Sequence, residues 1–402
     1  MIRFKQYITE AKTAHMRHVE ELILDGGVSG AVEALNFLRS LRDMLAGHAT
    51  KAVNVTVKWD GAPAIFAGYD PSDGKFFVAR KGIFNKNPKV FKTNAEIDAD
   101  DAPADLTAKM KLALAEFPKL GIKGVVQGDF LYAKEDLKII DIDGEPHVTF
   151  HPNTIVYAVP AKSATGKAIL GSKVGVVWHT TYRGSSFESM SPSFGEEIAS
   201  GFKKVGSVWA VDAVYKDVSG TATFTADETK EVTAILSRAG KLLQGLKRET
   251  FTKVAETPAL LNQLKIYLNA KVREGHDVPT ADIAAAMDKF YKDDIETKKS
   301  EKGKAEAAAK HADFVAFYKS QQAKDLFAYY AAIVEAKKLI IKKLDKAGGL
   351  KTLLKTGNGF EVTGNEGFVA IDHTGSKAVK LVDRLQFTRA NWSPDVIKGW
   401  VR

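Results

Sequence analysis

The sequence predicts an α+β protein in which antiparallel sheets carry flanking helices and an all-helical domain is inserted. Short segments rich in β-branched and aromatic residues, separated by Gly, Asp, Asn and Pro, occupy 51–225 and return in 356–402. Apolar residues recur at helical spacing through 1–50 and 226–355. The strands do not alternate regularly with helices, which disfavours a parallel βαβ sheet.

The N-terminal segment, 1–50, is predicted to be helical. The periodic stretches are HVEELIL and AVEALNFLRSLRDMLAG, with a break at Gly26-Gly27 and a stop at Gly47. His15 and His18 lie one helical turn apart, but no third metal ligand is evident nearby. We therefore interpret both as exposed helix histidines.

The segment 51–225 is predicted to supply most of the strands, interrupted by one helix at 106–117. The strand-like stretches are VNVTVKWD, AIFAGYD, KFFVARKG, GVVQGDFLY, NTIVYAVP, VGVVWHTTYRG and TATFTA. The segment 356–402 adds GFEVT, GFVAIDH and KAVKLV. The simplest topology is one β-rich unit that is interrupted by the helical insert 226–355.

The insert is strongly basic. It contains 25 Lys and Arg against 18 Asp and Glu, which gives +7 of the net charge of +9. Lysine pairs at 298–299, 337–338 and 342–343 raise the local density. Two interpretations stay open: a surface that grips a nucleic-acid backbone, RNA or a nicked duplex, and an ordinary solvated face of a helical bundle.

Composition restricts the class of protein. The chain has no cysteine, which excludes disulfides and thiolate metal sites and is consistent with a reducing, cytoplasmic location. No apolar run is long enough to cross a bilayer, and the N-terminus carries charges too early for a secretory signal. A pI of about 9.2 favours a polyanionic partner or substrate.

The stretch Lys58-Trp59-Asp60-Gly61 is the most informative in the chain. It follows one strand-like run and precedes another. A lysine at a strand end, beside a carboxylate and a glycine, suits a nucleophile that must face a phosphate. Downstream follow Arg80-Lys81-Gly82, Gly128-Asp129, Glu366-Gly367 and Lys380, each on or beside a predicted strand.

Together these segments resemble the covalent nucleotidyltransferase superfamily, which includes ATP-dependent RNA and DNA ligases and mRNA-capping enzymes. KWDG is similar to the nucleophile motif and ARKG to the arginine motif that follows it. VVQGDFLY, EGFV and VKLV are similar to the two acidic motifs and the closing lysine motif, in the family's order. The resemblance covers about 51–182 and 356–385 and implies a ligase-type adenylation core.

The resemblance also implies roles for five residues. Lys58 would attack the α-phosphate of ATP and form a lysine–AMP phosphoramidate. Lys380 would contact the α-phosphate, and Arg80 the ribose or an incoming 5′-phosphate. Asp129 and Glu366 would hold Mg²⁺, or alternatively Mn²⁺, since carboxylate oxygens suit these ions.

Five further positions are expected around the nucleotide. Asp60 would orient the ribose or the glycine turn, and Gly61 and Lys81 belong to the same two motifs. The family places an aromatic ring on the base, for which Tyr157 and Trp178 both lie in suitable strands. Either ring is alternatively part of the core.

Departures from the family pattern refine the prediction. Asp129 stands where the family usually has Glu, Val382 where it often has a second lysine, and Pro63 where DNA ligases usually have arginine. The tail after Lys380 is too short for the OB-type domain of DNA ligases and capping enzymes. The closest resemblance is therefore to phage-type RNA ligases.

Three alternatives accompany the ligase. One is a GTP-using or end-modifying nucleotidyltransferase. The second is a nucleic-acid-binding protein that kept the fold and lost turnover. The third, a histidine-based metal hydrolase, is disfavoured, because prolines flank the His147–His151 pair and His179 and His373 are isolated. The sequence predicts no oligomeric state.

Overall fold

The computed structural model describes residues 16–48, 54–215, 223–346, 350–372 and 377–399. Within these ranges the helices are α1 (Glu21–Asp25), α2 (Gly27–Leu45), α3 (Asn94–Asp98), α4 (Ala104–Glu116), α5 (Ala164–Gly171), α6 (Ala226–Gly245), α7 (Arg248–Ala255), α8 (Pro258–Arg273), α9 (Ile283–Glu296), α10 (Glu301–Lys319), α11 (Gln321–Asp345) and α12 (Arg384–Trp392). The strands are β1 (Asn54–Val57), β2 (Ala64–Tyr69), β3 (Phe76–Ala79), β4 (Val90–Phe91), β5 (Val125–Ala133), β6 (Lys138–Ile142), β7 (Glu145–Phe150), β8 (Ile155–Pro160), β9 (Val174–Arg183), β10 (Ser191–Phe194), β11 (Val208–Asp212), β12 (Lys351–Thr356), β13 (Gly359–Val362), β14 (Phe368–Ile371) and β15 (Ala378–Leu381).

The described strands form three sheets. The small sheet has the order β1-β14-β15, the central sheet β10-β9-β5-β2-β3-β4, and the outer sheet β13-β12-β8-β7-β6. β11 joins the central sheet by pairing in parallel with β9, and the other pairs in the described chain are antiparallel. The predicted α+β class with antiparallel sheets is confirmed at this level.

Two sequence-based boundaries need correction. The predicted strand TATFTA lies partly outside the described residues, and its described part contains no strand. Instead, the Thr225 hydroxyl accepts a hydrogen bond from the Glu228 amide and caps α6. The predicted insert extends to 355, yet β12 begins at Lys351 and pairs with β8 in the outer sheet.

The N-terminal helices share a core with the insert. Apolar residues of α2 and α6, among them Leu38 and Leu236, lie in one buried cluster that also reaches the small sheet. The Tyr329 hydroxyl of α11 donates a hydrogen bond of 2.6 Å to the Ala31 carbonyl. Lys337 and Glu20 form a fully buried ion pair at 2.7 Å. The segments 16–48 and 226–345 therefore pack as one helical body.

The chain crosses from the small sheet to the central sheet between β1 and β2. This crossing, 58–63, contains the KWDG motif. β14 pairs with both β1 and β15, which brings the late motifs next to the early one. Among the described helices, none is long and apolar enough to span a membrane.

Candidate active site

Lys58 lines a cavity of about 300 Å³ between the small and central sheets. Its backbone N–H donates to the Gly367 carbonyl at 2.8 Å, which extends the pairing of β1 with β14 by one residue. Its ammonium forms an ion pair with Glu366, and about a third of its side chain, 30%, is exposed. The amine therefore faces the cavity while a carboxylate holds it.

Gly61 allows the segment 58–63, the lysine loop, to pack closely against β5. A Cβ atom at this position would lie 2.5 Å from the Cβ of Asp129 and 3.1 Å from the Phe130 carbonyl oxygen. Because real Cβ atoms do not approach so closely, a larger residue would push the loop off the strand. The glycine thus lets Lys58 and Asp129 share one cavity.

Both acidic motif residues are electrostatically perturbed. Burial raises the pKa of Asp129 to about 7, against the opposing charge of Lys58. Burial likewise raises the pKa of Glu366 to about 7, again opposed by Lys58, with Asp60 and Asp129 adding repulsion. A pair of buried carboxylates with raised pKa values is typical of functional sites.

Lys380 and Lys81 complete the cationic side of the cavity. Lys380 lies in β15, paired with Val369, and its backbone also bonds to the N-terminal segment at Val19. Burial and repulsion from Lys58 lower the pKa of Lys380. Lys81 begins a short 3₁₀ helix, Lys81–Phe84, directly after β3.

Asp60 is not among the residues that line this cavity, and its carboxylate accepts four hydrogen bonds. Its carboxylate, on a residue only 3% exposed, accepts from Asn153 Nδ2 at 2.8 Å and from the Thr154 and Ile155 amides at 2.7 and 2.8 Å. The Thr154 hydroxyl donates a further bond. Of the two predicted roles, the contacts favour positioning of the glycine turn over ribose binding.

Arg80 does not reach the Lys58 cavity. Its guanidinium forms an ion pair with Asp100, which also binds Lys89 at 3.1 Å. Arg80 lines a second cavity of about 1,150 Å³, which shares Ala64 and Lys81 with the first. A contact of Arg80 with an incoming strand fits this position, and a contact with the ribose beside Lys58 does not.

Neither predicted stacking ring offers a free face. Tyr157 packs between Trp59 and Phe150, at ring-centroid distances of 4.9 and 5.2 Å. Its hydroxyl accepts a hydrogen bond from the Asp60 amide. Trp178 is fully buried on the other face of the central sheet, against Phe117. The expectation that Tyr157 or Trp178 stacks on a base is therefore wrong, and both are core residues.

The cavity contains aromatic and polar residues that the sequence did not single out. Trp59 and Phe194 line it and are partly exposed. His179, which looked isolated in the sequence, also lines it, and its Nε2 lies 3.6 Å from an Asp129 oxygen. Burial lowers the pKa of His179 to about 4, with repulsion from Lys58 adding to the effect, so the imidazole is neutral at pH 7.

His179 lies on the face of β9 that borders the cavity, two residues after Val177, which also lines it. Gln127 pairs with Thr180 and Gly128 with Trp178, so His179 is the extra residue of a β-bulge. Its Nδ1 lies 2.7 Å from the Thr180 hydroxyl. The bulge thus lies directly beside the cavity, and only the strand register reveals it.

The two carboxylates are the residues that would hold a divalent cation. Mg²⁺ commonly binds one or two protein carboxylates and completes its shell with water and substrate phosphates. Asp129 and Glu366 fit this chemistry, because both are carboxylates beside Lys58: Glu366 forms an ion pair with it, and Asp129 lines the same cavity. Over the part of the chain that the structure describes, no group of three or more His, Cys, Asp or Glu forms a metal site.

The other histidines that the structure describes belong to no group of metal-ligating side chains either. His147 lies fully buried in β7, with Nδ1 2.8 Å from the Glu145 carbonyl, and His151 contacts the Thr154 carbonyl. The expectation that His18 is an exposed helix histidine is wrong: it is half-buried, precedes α1 and pairs with Lys380 in an isolated β-bridge. Burial lowers its pKa to about 4. His15 and His373 lie outside the described residues.

About half of the insert's basic residues form ion pairs within the fold. At least twelve of its 25 Lys and Arg residues form ion pairs. From the three lysine pairs, Lys337 is fully buried against Glu20, Lys338 binds Asp277, and Lys343 is buried beside Glu228. These contacts favour the solvated-bundle interpretation over a backbone-gripping surface.

Comparison with known proteins places the chain in a family without assigning it an activity. No curated protein and no solved structure matches the chain. Residues 13–395, nearly the whole sequence, match DUF6267, which is described as a family of unknown function. This chain therefore belongs to DUF6267, and the cavity around Lys58 is the part of it that carries recognisable chemistry.

Proposed function

We propose that the protein is a covalent nucleotidyltransferase, and specifically an ATP-dependent polynucleotide ligase that acts on RNA rather than DNA. One observation carries the proposal. Lys58, Asp129, Glu366 and Lys380, which are up to 322 positions apart in the chain, all contribute to one small cavity or contact its lysine. Chance resemblance of short motifs gives no reason for such convergence.

The first step follows from the contacts of Lys58. Its neutral amine attacks the α-phosphorus of ATP, a P–N bond forms, and the bond to the β-phosphate oxygen breaks with release of pyrophosphate. The proton that the ammonium must lose has an acceptor in the ion-paired Glu366 carboxylate. Lys380 and Lys81 supply positive charge where the phosphate oxygens gain negative charge.

Two further transfers complete sealing. An oxygen of a 5′-phosphate end attacks the phosphorus of lysine–AMP, which forms a 5′–5′ pyrophosphate and returns the amine to Lys58. A 3′-hydroxyl then attacks the 5′-phosphate, loses its proton, and displaces AMP. A divalent cation held by Asp129 and Glu366 would supply charge stabilisation to the phosphates.

We expect α-labelled ATP with Mg²⁺ to label the wild type covalently, and Lys58→Arg to form no adduct. Arginine retains the positive charge but cannot act as a nucleophile at neutral pH, so the loss should be complete. The measurement is gel autoradiography, with acid-labile, base-stable label as the signature of a phosphoramidate. Lys123→Arg, at an exposed lysine outside the cavity, is the matched control.

The alternatives separate in the same assay. A label retained by Lys58→Arg would remove Lys58 from the nucleophile's role. Labelling by GTP in preference to ATP would favour an end-modifying transferase. RNA binding at low salt without any adduct would favour the non-catalytic interpretation. Sealing assays on RNA, DNA and mixed nicks, with the adduct-forming protein, then identify the strand that is joined.

A further inference from the structure

The second cavity adjoins the Lys58 cavity and is almost four times as large. Their volumes are about 1,150 and 300 Å³. Ala64 and Lys81 line both of them, so a chain lying in the larger cavity can extend directly towards Lys58. A nucleotide fits the smaller cavity, and the larger one has room for several more residues of a polymer.

An exposed tryptophan forms one wall of the larger cavity. Trp392 ends α12 and is 73% exposed, whereas Trp59, Trp178 and Trp209, the other tryptophans that the structure describes, are buried or half-buried. A free indole face is unfavourable in water and is the usual platform on which an unpaired base stacks.

Cations lie on the remaining walls. Arg80, Lys81 and Lys398 line the cavity, and Lys398 is exposed. Arg80 shares Asp100 with Lys89, so two cations meet one carboxylate and this cluster keeps a net positive charge. The acidic wall residue, Asp105, is bound to Lys109 at 2.9 Å, so it contributes little net negative charge. Basic side chains interleaved with an aromatic ring match a single polynucleotide strand, whose phosphates alternate with stackable bases.

The backbone on both sides of Lys398 is hydrogen-bonded to neighbouring segments, one of which contacts the turn that carries Lys58. The Gly399 amide donates to the Asn153 carbonyl at 2.6 Å, and the Asn153 side chain donates to Asp60 at 2.8 Å. The Ile397 amide donates to the Lys355 carbonyl at 2.8 Å. The C-terminal wall of the cavity is thereby fixed relative to the turn that carries Lys58.

We propose that this cavity, and not the helical insert, binds the single-stranded, 5′-phosphorylated end of the polynucleotide. A base stacks on Trp392, the backbone phosphates contact Arg80 and Lys398, and the terminal phosphate passes Lys81 on its way to Lys58. The inference rests on the proposed ligase function, which it deepens by assigning the strand-binding surface.

The test is binding of a fluorescent, 5′-phosphorylated 12-nucleotide RNA to the full chain, measured by anisotropy without ATP. We expect Trp392→Ala to weaken binding by about 5- to 100-fold, because stacking contributes strongly for each base. Trp392→Phe should keep most of the affinity, since phenylalanine also presents an aromatic face. Phe290→Ala, at a partly exposed ring on the insert, is the matched control and should bind like the wild type.

Charge is tested by the salt dependence of the same binding. Lys398→Gln should weaken binding and reduce the slope of log K against log salt by about 0.7, as expected for one lost phosphate contact on a single strand. Lys310→Gln, at an exposed lysine of the insert, should leave the slope unchanged. An equal loss of RNA affinity in Lys398→Gln and Lys310→Gln would indicate a diffuse electrostatic attraction of RNA to the whole protein. That result would contradict a binding site in the larger cavity.

The outcomes distinguish the two proposals. If the wild type forms the Lys58 adduct but Trp392→Ala binds RNA as tightly as the wild type, the proposal that the larger cavity binds the strand is wrong and the ligase proposal is unaffected. If Trp392→Ala loses RNA binding but the wild type forms no adduct, the larger cavity binds RNA as proposed and the ligase proposal is wrong. The same oligonucleotide as DNA, and as a duplex, shows whether the larger cavity selects RNA and single strands.

Discussion

The Asp129→Asn variant is expected to be more stable than the wild type at pH 8, by about 2–4 kcal/mol in the free energy of unfolding, and to form no adduct at Lys58. Burial raises the pKa of Asp129 to about 7, so ionising this group costs the folded, metal-free protein stability at pH 8. Asparagine has the same shape and carries no charge. It therefore removes the electrostatic cost and, with it, the carboxylate that the reaction needs.

The sign of the effect fixes its pH dependence. Between the ordinary aspartate pKa, about 4, and the folded value, about 7, the folded protein binds the proton more tightly than the unfolded chain does. The wild type therefore loses stability as the pH rises through this window, and the variant does not. The gain should be full at pH 8 and fall to less than half of that at pH 5.

Urea unfolding in EDTA at pH 5 and pH 8 measures the gain, and adduct labelling measures the activity. Asp101→Asn is the control, because this exposed aspartate has a left-handed backbone that asparagine adopts equally well. A loss of stability in Asp129→Asn at pH 8 would show that the carboxylate serves packing. Retained labelling would exclude it from the reaction.

Such a trade of stability for function is what a polyphosphate site with a metal requires. Asp129 and Glu366 repel each other, and Lys58 is the cation whose charge acts most strongly on both. Under the proposed function, a divalent cation held by these two carboxylates would relieve the repulsion, and the stability lost in the free protein would be recovered on binding.

The meeting of Lys58 with Glu366 was predicted from the sequence, and both motifs stand at strand ends. The Lys58 amide bonds to the carbonyl of Gly367, the residue after the acid, and β1 and β14 pair from that point. Strand ends alone do not show which strands pair, so the meeting was expected only from the resemblance of the motif set to the nucleotidyltransferase superfamily. Gly61 was similarly informative, since a glycine after the motif permits the close approach to Asp129.

His179 and Arg80 show where the strand pattern of the sequence fails to predict which side chains reach the cavity. Alternation along β9 places His179 on the same face as Val177, but which face borders the cavity depends on how β9 pairs with β5 and on the small sheet across the cavity. Arg80 follows a strand as predicted, but its direction is set by Asp100, a residue on another segment. Contacts between distant segments decide both cases, and no local pattern encodes them.

Contacts between distant segments also explain why the sequence misjudged the two aromatic rings and the lysine-rich insert. Tyr157 and Trp178 sit in strands with both faces covered, and alternation cannot tell a face covered by protein from one that binds a ligand. A count of lysines likewise cannot show which are paired. Lys337 belongs to a basic cluster in the sequence, yet it is buried against Glu20 from the N-terminal segment.

The Asp60→Ala variant is expected to lose about 3–5 kcal/mol of stability and to lose adduct formation as a consequence. The buried carboxylate accepts hydrogen bonds from Asn153, Thr154 and Ile155, and its removal leaves these donors without a partner. The loop that carries Lys58 would then lose its attachment to the start of β8. Thr154→Val, which removes one donor of the set, should cost only about 1 kcal/mol.

Urea unfolding of Asp60→Ala, Asp60→Asn and Thr154→Val, with ATP-dependent labelling at several ATP concentrations, separates positioning from substrate contact. Positioning predicts that the loss of labelling follows the loss of stability across the three variants, and that excess ATP does not restore it. A ribose contact predicts the opposite: stable Asp60 variants whose labelling recovers at high ATP. Asp60 is only 3% exposed and its carboxylate already accepts four hydrogen bonds from Asn153, Thr154 and Ile155, so a ribose hydroxyl has little access to it, which is why we expect the first result.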